Sequence, residues 1–276
     1  MQLKPDFQFS QQNMQDFVDC PRRFYLRYVL QMRYPAPISE PVLEQEKRVE
    51  QGERFHRLVH QHLLGIPVES LSRLAGDADL LEWWENYLAY QPTRDLPEQR
   101  YPEYTLWMRF NGYQMIAKYD LLAVGSGKAY IYDWKTTGRR PGQMSLAQRM
   151  QTRVYPFLLV QAGNRLNGGK PFEPAQVQMT YWFPEFPQKP AVFQYSDEQY
   201  YQDKSILESL VGDILQRENE ESFPQTLDER RCRYCNYRSL CERGKEAGSL
   251  ADLDDEDLGQ EEPLDIDFDT IEEIEF

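Results

Sequence analysis

Two acids and a lysine within one short stretch are the residues best placed to do chemistry. The segment from Gly112 to Lys135 reads as two strands joined by a tight turn at Gly125-Ser126-Gly127, a β-branched and aromatic pattern interrupted by turn residues. Asp120 falls on the first strand; Asp133 and Lys135 fall near the end of the second. Period-2 alternation puts Asp133 and Lys135 on one face and Trp134 on the other. Buried charges are costly unless they are paired or bind a metal. Two converging carboxylates suit a hard divalent cation such as Mg²⁺ or Mn²⁺, and a lysine beside it can hold and polarise a water molecule. That combination fits phosphodiester hydrolysis, where charge develops on phosphate oxygens. The same three residues also fit a solvated hairpin face with an Asp–Lys pair.

The cysteines form the second constellation. Cys232, Cys235 and Cys241 make a C-x₂-C-x₅-C pattern, and Cys20 lies far upstream. In a cytoplasmic chain disulfides are not expected. Four thiolates brought together would bind Zn²⁺ or an iron–sulfur cluster, and spacing alone does not choose between them. Either would staple the N-terminal helix to the C-terminal segment and restrict the unfolded chain. Arg230, Arg231, Arg233 and Arg238 surround the pattern.

These residues need a scaffold. Ser10 is placed to cap a short helix that stops near Cys20, because Pro21 follows. A second helix begins at Pro21, with Arg22, Arg23 and Arg27 as a basic face. Pro35, Pro37 and Pro41 mark a loop before a long helix from about Val42 to Leu64, which holds all three histidines, His56, His60 and His62. On it Phe55, Val59 and His62 share one face, and Gly52, His56 and His60 an adjacent one. Gly52 in mid-helix costs ~1 kcal/mol against Ala, which suggests close packing there. A further helix is expected over 78–91, a strand over 103–110 with Glu103 as an accessory acid, and a basic turn at 136–141. One helix follows from about Ser145 to Ala162, with Gln151 and Tyr155 on one face and Arg149 and Arg153 as a basic edge. Strands at 175–183 and 191–195 and a helix over 197–217 complete the body.

The net charge of −14 is unevenly distributed: 13 acids lie between Asp252 and Glu275 with no Lys or Arg, leaving about −1 on the rest. A local basic surface is therefore compatible with the composition. We expect a body over 1–245 and an acidic, disordered, solvating tail over 246–276; a sharper reading is a tail that competes with DNA for a basic cleft or docks on a protein partner. There is no transmembrane run and the first residues lack the apolar segment of a signal peptide, so the expected compartment is the cytoplasm.

Taken in order, the motifs resemble the PD-(D/E)XK nuclease superfamily. They are most like the RecB-like exonucleases with an iron–sulfur cluster, including the CRISPR-associated RecB-like exonucleases and the AddB-type nuclease domain. The resemblance runs from about Ser10 to Cys241. It rests on Cys20-Pro21-Arg22-Arg23-Phe24, Gly52-x-x-x-His56, Asp120 in Ala117-Lys118-Tyr119-Asp120, Asp133-Trp134-Lys135, Gln151-x-x-x-Tyr155 and the terminal cysteines. Ala117 departs from the glycine frequent there. The resemblance implies an α/β fold, a central mixed β-sheet flanked by helices, with N- and C-terminal segments joined by a four-cysteine metal cluster. It implies that His56, Asp120, Asp133 and the Trp134 carbonyl bind Mg²⁺ or Mn²⁺, and that Lys135 polarises the attacking water. Gln151 and Tyr155 would orient substrate or support Lys135, and Cys20, Cys232, Cys235 and Cys241 would hold a [4Fe–4S] cluster. The implied activity is exonucleolytic cleavage of single-stranded DNA ends in DNA repair, recombination or CRISPR adaptation, with arginines of the 22–27 and 139–153 segments tracking phosphates. Two other functions fit the sequence: a non-catalytic DNA-end-binding subunit and a zinc-stapled scaffold.

Overall fold

The computed structural model describes residues 3–32, 40–232 and 235–244. The loop prolines at 35 and 37, Arg233 and the acidic tail lie outside the described residues. The chain opens with a short strand β1 (Gln8–Phe9) and helix α1 (Gln11–Asp19). A single turn α2 (Pro21–Phe24) then runs into a π-helical turn over Tyr25–Val29. Helices α3 (Glu40–Leu63), α4 (Val68–Ser72) and α5 (Ala78–Tyr90) precede the meander β2 (Gln99–Phe110), β3 (Tyr113–Gly125) and β4 (Lys128–Trp134). Helices α6 (Gln143–Gln148) and α7 (Met150–Ala162), strands β5 (Val177–Trp182) and β6 (Ala191–Gln194), and helix α8 (Asp197–Gln216) complete the body.

The expected central mixed sheet is present. Strand β3 pairs antiparallel with β2 along nearly its whole length, from Gln99↔Val124 to Phe110↔Tyr113. Its other edge is divided: β1 runs parallel to Gln114–Met115, and β4 pairs antiparallel from Leu121↔Tyr132 to Gly125↔Lys128. Beyond Leu121↔Tyr132 the two strands part. Strand β4 continues beside β5 in parallel, and β6 closes that side antiparallel. The sheet therefore carries a fork where β3 and β4 diverge, and Asp120 and Asp133 sit at its mouth.

Alternation sends residues to opposite faces, and each face is covered. On β4 and β5, Ala129, Ile131, Val177, Met179 and Tyr181 pack with α1, α7 and α8 in one apolar cluster. Trp134 and Trp182, out of phase with these, pack with Phe55, Val59, Trp83 and Leu121 in a second cluster under α3 and α5. Burial of such large side chains stabilises by roughly 1.5–3 kcal/mol each. It also locks the register of the strands that carry the polar residues.

The helix boundaries follow local chemistry in most places. The Ser10 hydroxyl accepts the Asn13 N–H at 3.3 Å, and the Asn13 side chain accepts the Ser10 N–H at 3.0 Å, a reciprocal N-cap. Cys20 is extended ahead of Pro21 and ends α1. Pro41 proves to lie in the first turn of α3, where its missing donor costs little. The single helix expected from Ser145 to Ala162 is broken: Arg149 is extended, at φ −67° and ψ 144°. The reason is tertiary. The Met150 N–H is taken by the side chain of Gln15 on α1, at 2.9 Å, so α7 starts afresh on a donor–acceptor contact from the opposite end of the chain. No helix among the described residues is long and apolar enough to cross a membrane.

Candidate metal centre and cysteine site

At the fork, backbone groups lose their ladder partners and must find others. The N–H of Trp134 donates to Asp120 Oδ2 at 2.8 Å, so the carboxylate of β3 takes over where the β3–β4 ladder ends. Trp134 thus enters the site through its backbone, while its indole is buried on the α3 side. Asp120 Oδ1 faces His56 Nδ1 at 3.5 Å. Asp133 is buried; its Oδ2 lies 3.0 Å from Lys135 Nζ, and its Oδ1 accepts from Gln151 Nε2 at 2.5 Å. Lys135 also lies 5.6 Å from the centre of the Tyr181 ring, a cation–π contact that steadies its side chain. The sheet face of Asp133 and Lys135 is the α7 face, whereas His56 reaches over from α3.

Helix α3 is set against this site by Gly52. A Cβ there would stand 2.7 Å from Thr136 Oγ1, immediately after Lys135. Arg48, one turn earlier, donates to the Thr136 carbonyl at 3.3 Å and pairs with Glu185 at 2.5 Å. His56 follows one turn after Gly52 and so inherits this placement. The face expected to carry Phe55 and Val59 is the buried one; His62 packs edge-on to Trp84 and Tyr87.

The electrostatics of the centre are strongly coupled. Burial works to lower the pKa of His56, but the carboxylates of Asp120 and Asp133 overcome it and hold the imidazole at about 9. Burial pushes the Asp133 carboxyl up to about 7; Lys135 opposes this and Asp120 adds to it. Asp120 is held below the usual carboxylate range, because His56 and the Trp134 N–H outweigh its burial. Such a divided pair of carboxylates next to a histidine is the electrostatic pattern of a functional site.

Gln151 and Tyr155 are one turn apart on α7, as their spacing required, and both reach the site region. Gln151 holds Asp133. The Tyr155 hydroxyl donates to the Lys118 carbonyl at 2.7 Å, and Tyr119 donates back to the Tyr155 carbonyl at 2.9 Å. Tyr155 therefore braces β3 two residues before Asp120.

Glu103 lies closer to the centre than its place in the sequence suggested. One donor atom each from His56, Glu103 and Asp120 lie within 4.8 Å of one another, the one such group of three among the described residues. The set His56, Asp120 and Asp133 does not converge as closely. The signal in the sequence was Glu103 itself, directly after Pro102 and the one charge between Arg100 and Arg109.

The basic residues expected to track phosphates are mostly committed elsewhere, a correction to the sequence reading. Arg23 bonds Asp16 at 2.9 Å and Asp19 at 2.8 Å, and Arg27 bonds Asp16 at 3.2 Å. Arg22 pairs with Glu220. On α7, Arg153 pairs with the fully buried Asp203 at 2.6 Å, and Arg149 is itself buried. Arg140 donates to the Lys189 carbonyl and stacks on Phe183. These cations pair with acids and carbonyls brought to them by the fold, which a helix-face count does not reveal. Arg139, four residues after Lys135, is exposed.

Cys20, Cys232, Cys235 and Cys241 line one small cavity together with Arg23. Arg231, next to Cys232, pairs with Asp19, next to Cys20, and the Arg22 N–H donates to the Pro224 carbonyl at 3.1 Å. Burial pushes the thiols of Cys232, Cys235 and Cys241 up, Cys235 to about 11, and charge on neighbouring thiols adds to the shift. Burial thus favours the protonated thiols.

A helix-flanked mixed sheet that brings two acids, a lysine and a histidine together at a strand fork defines an α/β scaffold with one charged site. The chain belongs to the PD-(D/E)XK nuclease superfamily, whose family model matches residues 8–242. Among solved structures, the protein SSO0001 is 13% identical with a TM-score of 0.40, covering 87% of each chain. A candidate exonuclease from Eubacterium rectale is 10% identical with a TM-score of 0.46, covering 75% of this chain and 79% of its own. No curated protein matches the chain.

Proposed function

We propose that the protein is a Mg²⁺- or Mn²⁺-dependent deoxyribonuclease that degrades single-stranded DNA from its ends. The observation that carries this is the meeting, at the sheet fork, of Lys135 and Asp133 at 3.0 Å with the His56–Asp120 pair. His56, Asp120, Asp133 and the Trp134 carbonyl would hold the cation. The donor set is oxygen-rich with one imidazole, which suits Mg²⁺ or Mn²⁺. When bound, the cation supplies charge stabilisation for the phosphoryl oxygens and lowers the pKa of water. Lys135, oriented by Asp133 and Tyr181, holds a water by its ammonium group and directs it at phosphorus. Gln151 keeps Asp133 in place for this, and Tyr155 keeps β3 in place for Asp120.

The four cysteines would hold a [4Fe–4S] cluster that fastens the N-terminal helix to the C-terminal segment. A single tetrahedral zinc at about 2.3 Å from each sulfur needs sulfurs about 3.8 Å apart. Among the described residues no three cysteine sulfurs lie within 4.8 Å of one another, a spacing that by itself selects neither metal. The DNA would be handled in repair, recombination or CRISPR adaptation, in the cytoplasm, with the acidic tail competing for the cleft or docking on a protein partner.

The test is anaerobic purification followed by incubation of end-labelled single-stranded DNA with Mn²⁺ or Mg²⁺, comparing wild type with Lys135→Ala. Metal-dependent loss of label, abolished by the substitution, is expected from a brown protein containing iron and sulfide. An intact, cluster-loaded wild type that binds DNA ends without cutting them would point instead to an end-binding subunit. A colourless protein containing Zn²⁺ would refute the cluster.

A further inference from the structure

Resting on the metal-centre reading above, we propose that Glu103 is a direct ligand of the divalent cation, sharing it with His56 and Asp120. Three observations converge on it. First, the donor atoms of these three residues lie within 4.8 Å of one another. An octahedral cation with oxygens at about 2.1 Å needs ligand separations of about 3.0 to 4.2 Å, so side-chain adjustments of an ångström or less would close the set. Second, of the Asp120 oxygens Oδ1 is the one turned to His56, while Oδ2 accepts from Trp134. The oxygens of Asp133 face Gln151 and Lys135 and keep lone pairs for the cation assigned to them above. A six-coordinate cation takes more donors than these supply, and Glu103 is the further carboxylate beside it.

Third, the strand is shaped to present this side chain. The β2–β3 ladder is continuous from Gln99↔Val124 to Phe110↔Tyr113 except at the position where Glu103 faces Asp120. There Glu103 takes φ +53°, a left-handed conformation that costs about 1–3 kcal/mol for a residue with a side chain. Pro102 precedes it and has no N–H to offer a ladder, which is tolerable because β2 is an edge strand. On β3 the break has its counterpart: Tyr119 packs on the α7 side, and Leu121, two residues on, packs on the α3 side. Both strands thus turn at the one pair that would face the cation. Lys118 Nζ lies 2.5 Å from Glu103 Oε2 and pairs with that carboxylate.

The experiment is Mn²⁺ binding followed by the loss of the free-ion EPR signal, on the full chain without DNA. Wild type is compared with Glu103→Gln, Asp120→Asn and Lys118→Met, each checked for folding by circular dichroism. We expect Glu103→Gln to weaken Mn²⁺ at least tenfold, as Asp120→Asn does, and Lys118→Met to change it less than threefold. Wild-type affinity in Glu103→Gln, with affinity lost in Asp120→Asn, overturns the assignment of Glu103 alone. An equal loss in Lys118→Met also overturns it, since the carboxylate would then matter only as a partner of Lys118. If wild type binds no Mn²⁺, or Asp120→Asn binds like wild type, the metal centre itself falls and Glu103 with it. Should Glu103→Gln not fold, Glu103→Asp keeps the charge near Lys118 but withdraws it by one methylene. Weakened Mn²⁺ binding is then expected, and undiminished binding overturns the proposal.

Discussion

Gly52→Ala is the perturbation that most directly probes how the centre is assembled. The new Cβ would stand 2.7 Å from Thr136 Oγ1, against an ordinary contact of 3.4 Å or more. Helix α3 and the segment after Lys135 must therefore separate by up to about 0.7 Å, or Thr136 must turn in a site where it is 9% exposed. Overpacking of this kind costs about 1–3 kcal/mol, and the gain in helix propensity on losing a glycine offsets about 1 kcal/mol of it. Stability should then fall by no more than about 2 kcal/mol. Activity should fall further, because the displacement lies one turn from His56 and one residue from Lys135. Misplacement of catalytic groups by about an ångström costs on the order of 10²-fold. The assay is kcat for single-stranded DNA cleavage with Mn²⁺, alongside urea unfolding. Thr136→Ala removes the clashing oxygen and leaves its Cβ at 3.8 Å from the new methyl. The double variant should thus recover to within a few-fold of Thr136→Ala alone, a coupling well outside additivity. Full activity in Gly52→Ala, or a double variant as impaired as the single, would refute the close approach as the device that positions His56.

Other outcomes follow from the same geometry. Gln151→Ala leaves the buried Asp133 Oδ1 without its donor and should lower kcat 10- to 100-fold, with a loss of about 1–3 kcal/mol in urea unfolding. Arg153→Met leaves the buried Asp203 with Tyr195 and Gln199 as hydrogen-bond partners but no countercharge, and should destabilise by about 3–5 kcal/mol in urea unfolding. In metal-free protein, the His56 pKa of about 9 exceeds its ordinary value of about 6.5. Its contribution is fully present below about 6.5 and is lost as pH rises through 9. Urea midpoints measured in chelator should therefore fall across that window, and His56→Gln should flatten the fall; an unchanged slope would show that the Asp120 pairing does not hold the imidazolium.

Much of the centre was legible because it obeys local periods. The two-residue spacing of Asp133 and Lys135 places both on one strand face and Trp134 on the other whatever the rest of the chain does. The four-residue spacings of Gly52 with His56 and Gln151 with Tyr155 hold on any helix. Ser10 and Pro21 bound α1 through contacts within a few residues of themselves.

Tertiary structure decided what depends on groups far apart in the chain. The break at Arg149 comes from Gln15, the quenching of Arg23 and Arg27 from Asp16 and Asp19 across a helix junction, and that of Arg153 from Asp203 on α8. Asp120 meets Asp133 because β4 leaves β3 for β5 just where both acids stand, and Glu103 joins them because its strand kinks at that level. A periodic pattern specifies which way a side chain faces; which partner it meets there is set by how the sheet forks and how closely a glycine lets a helix approach.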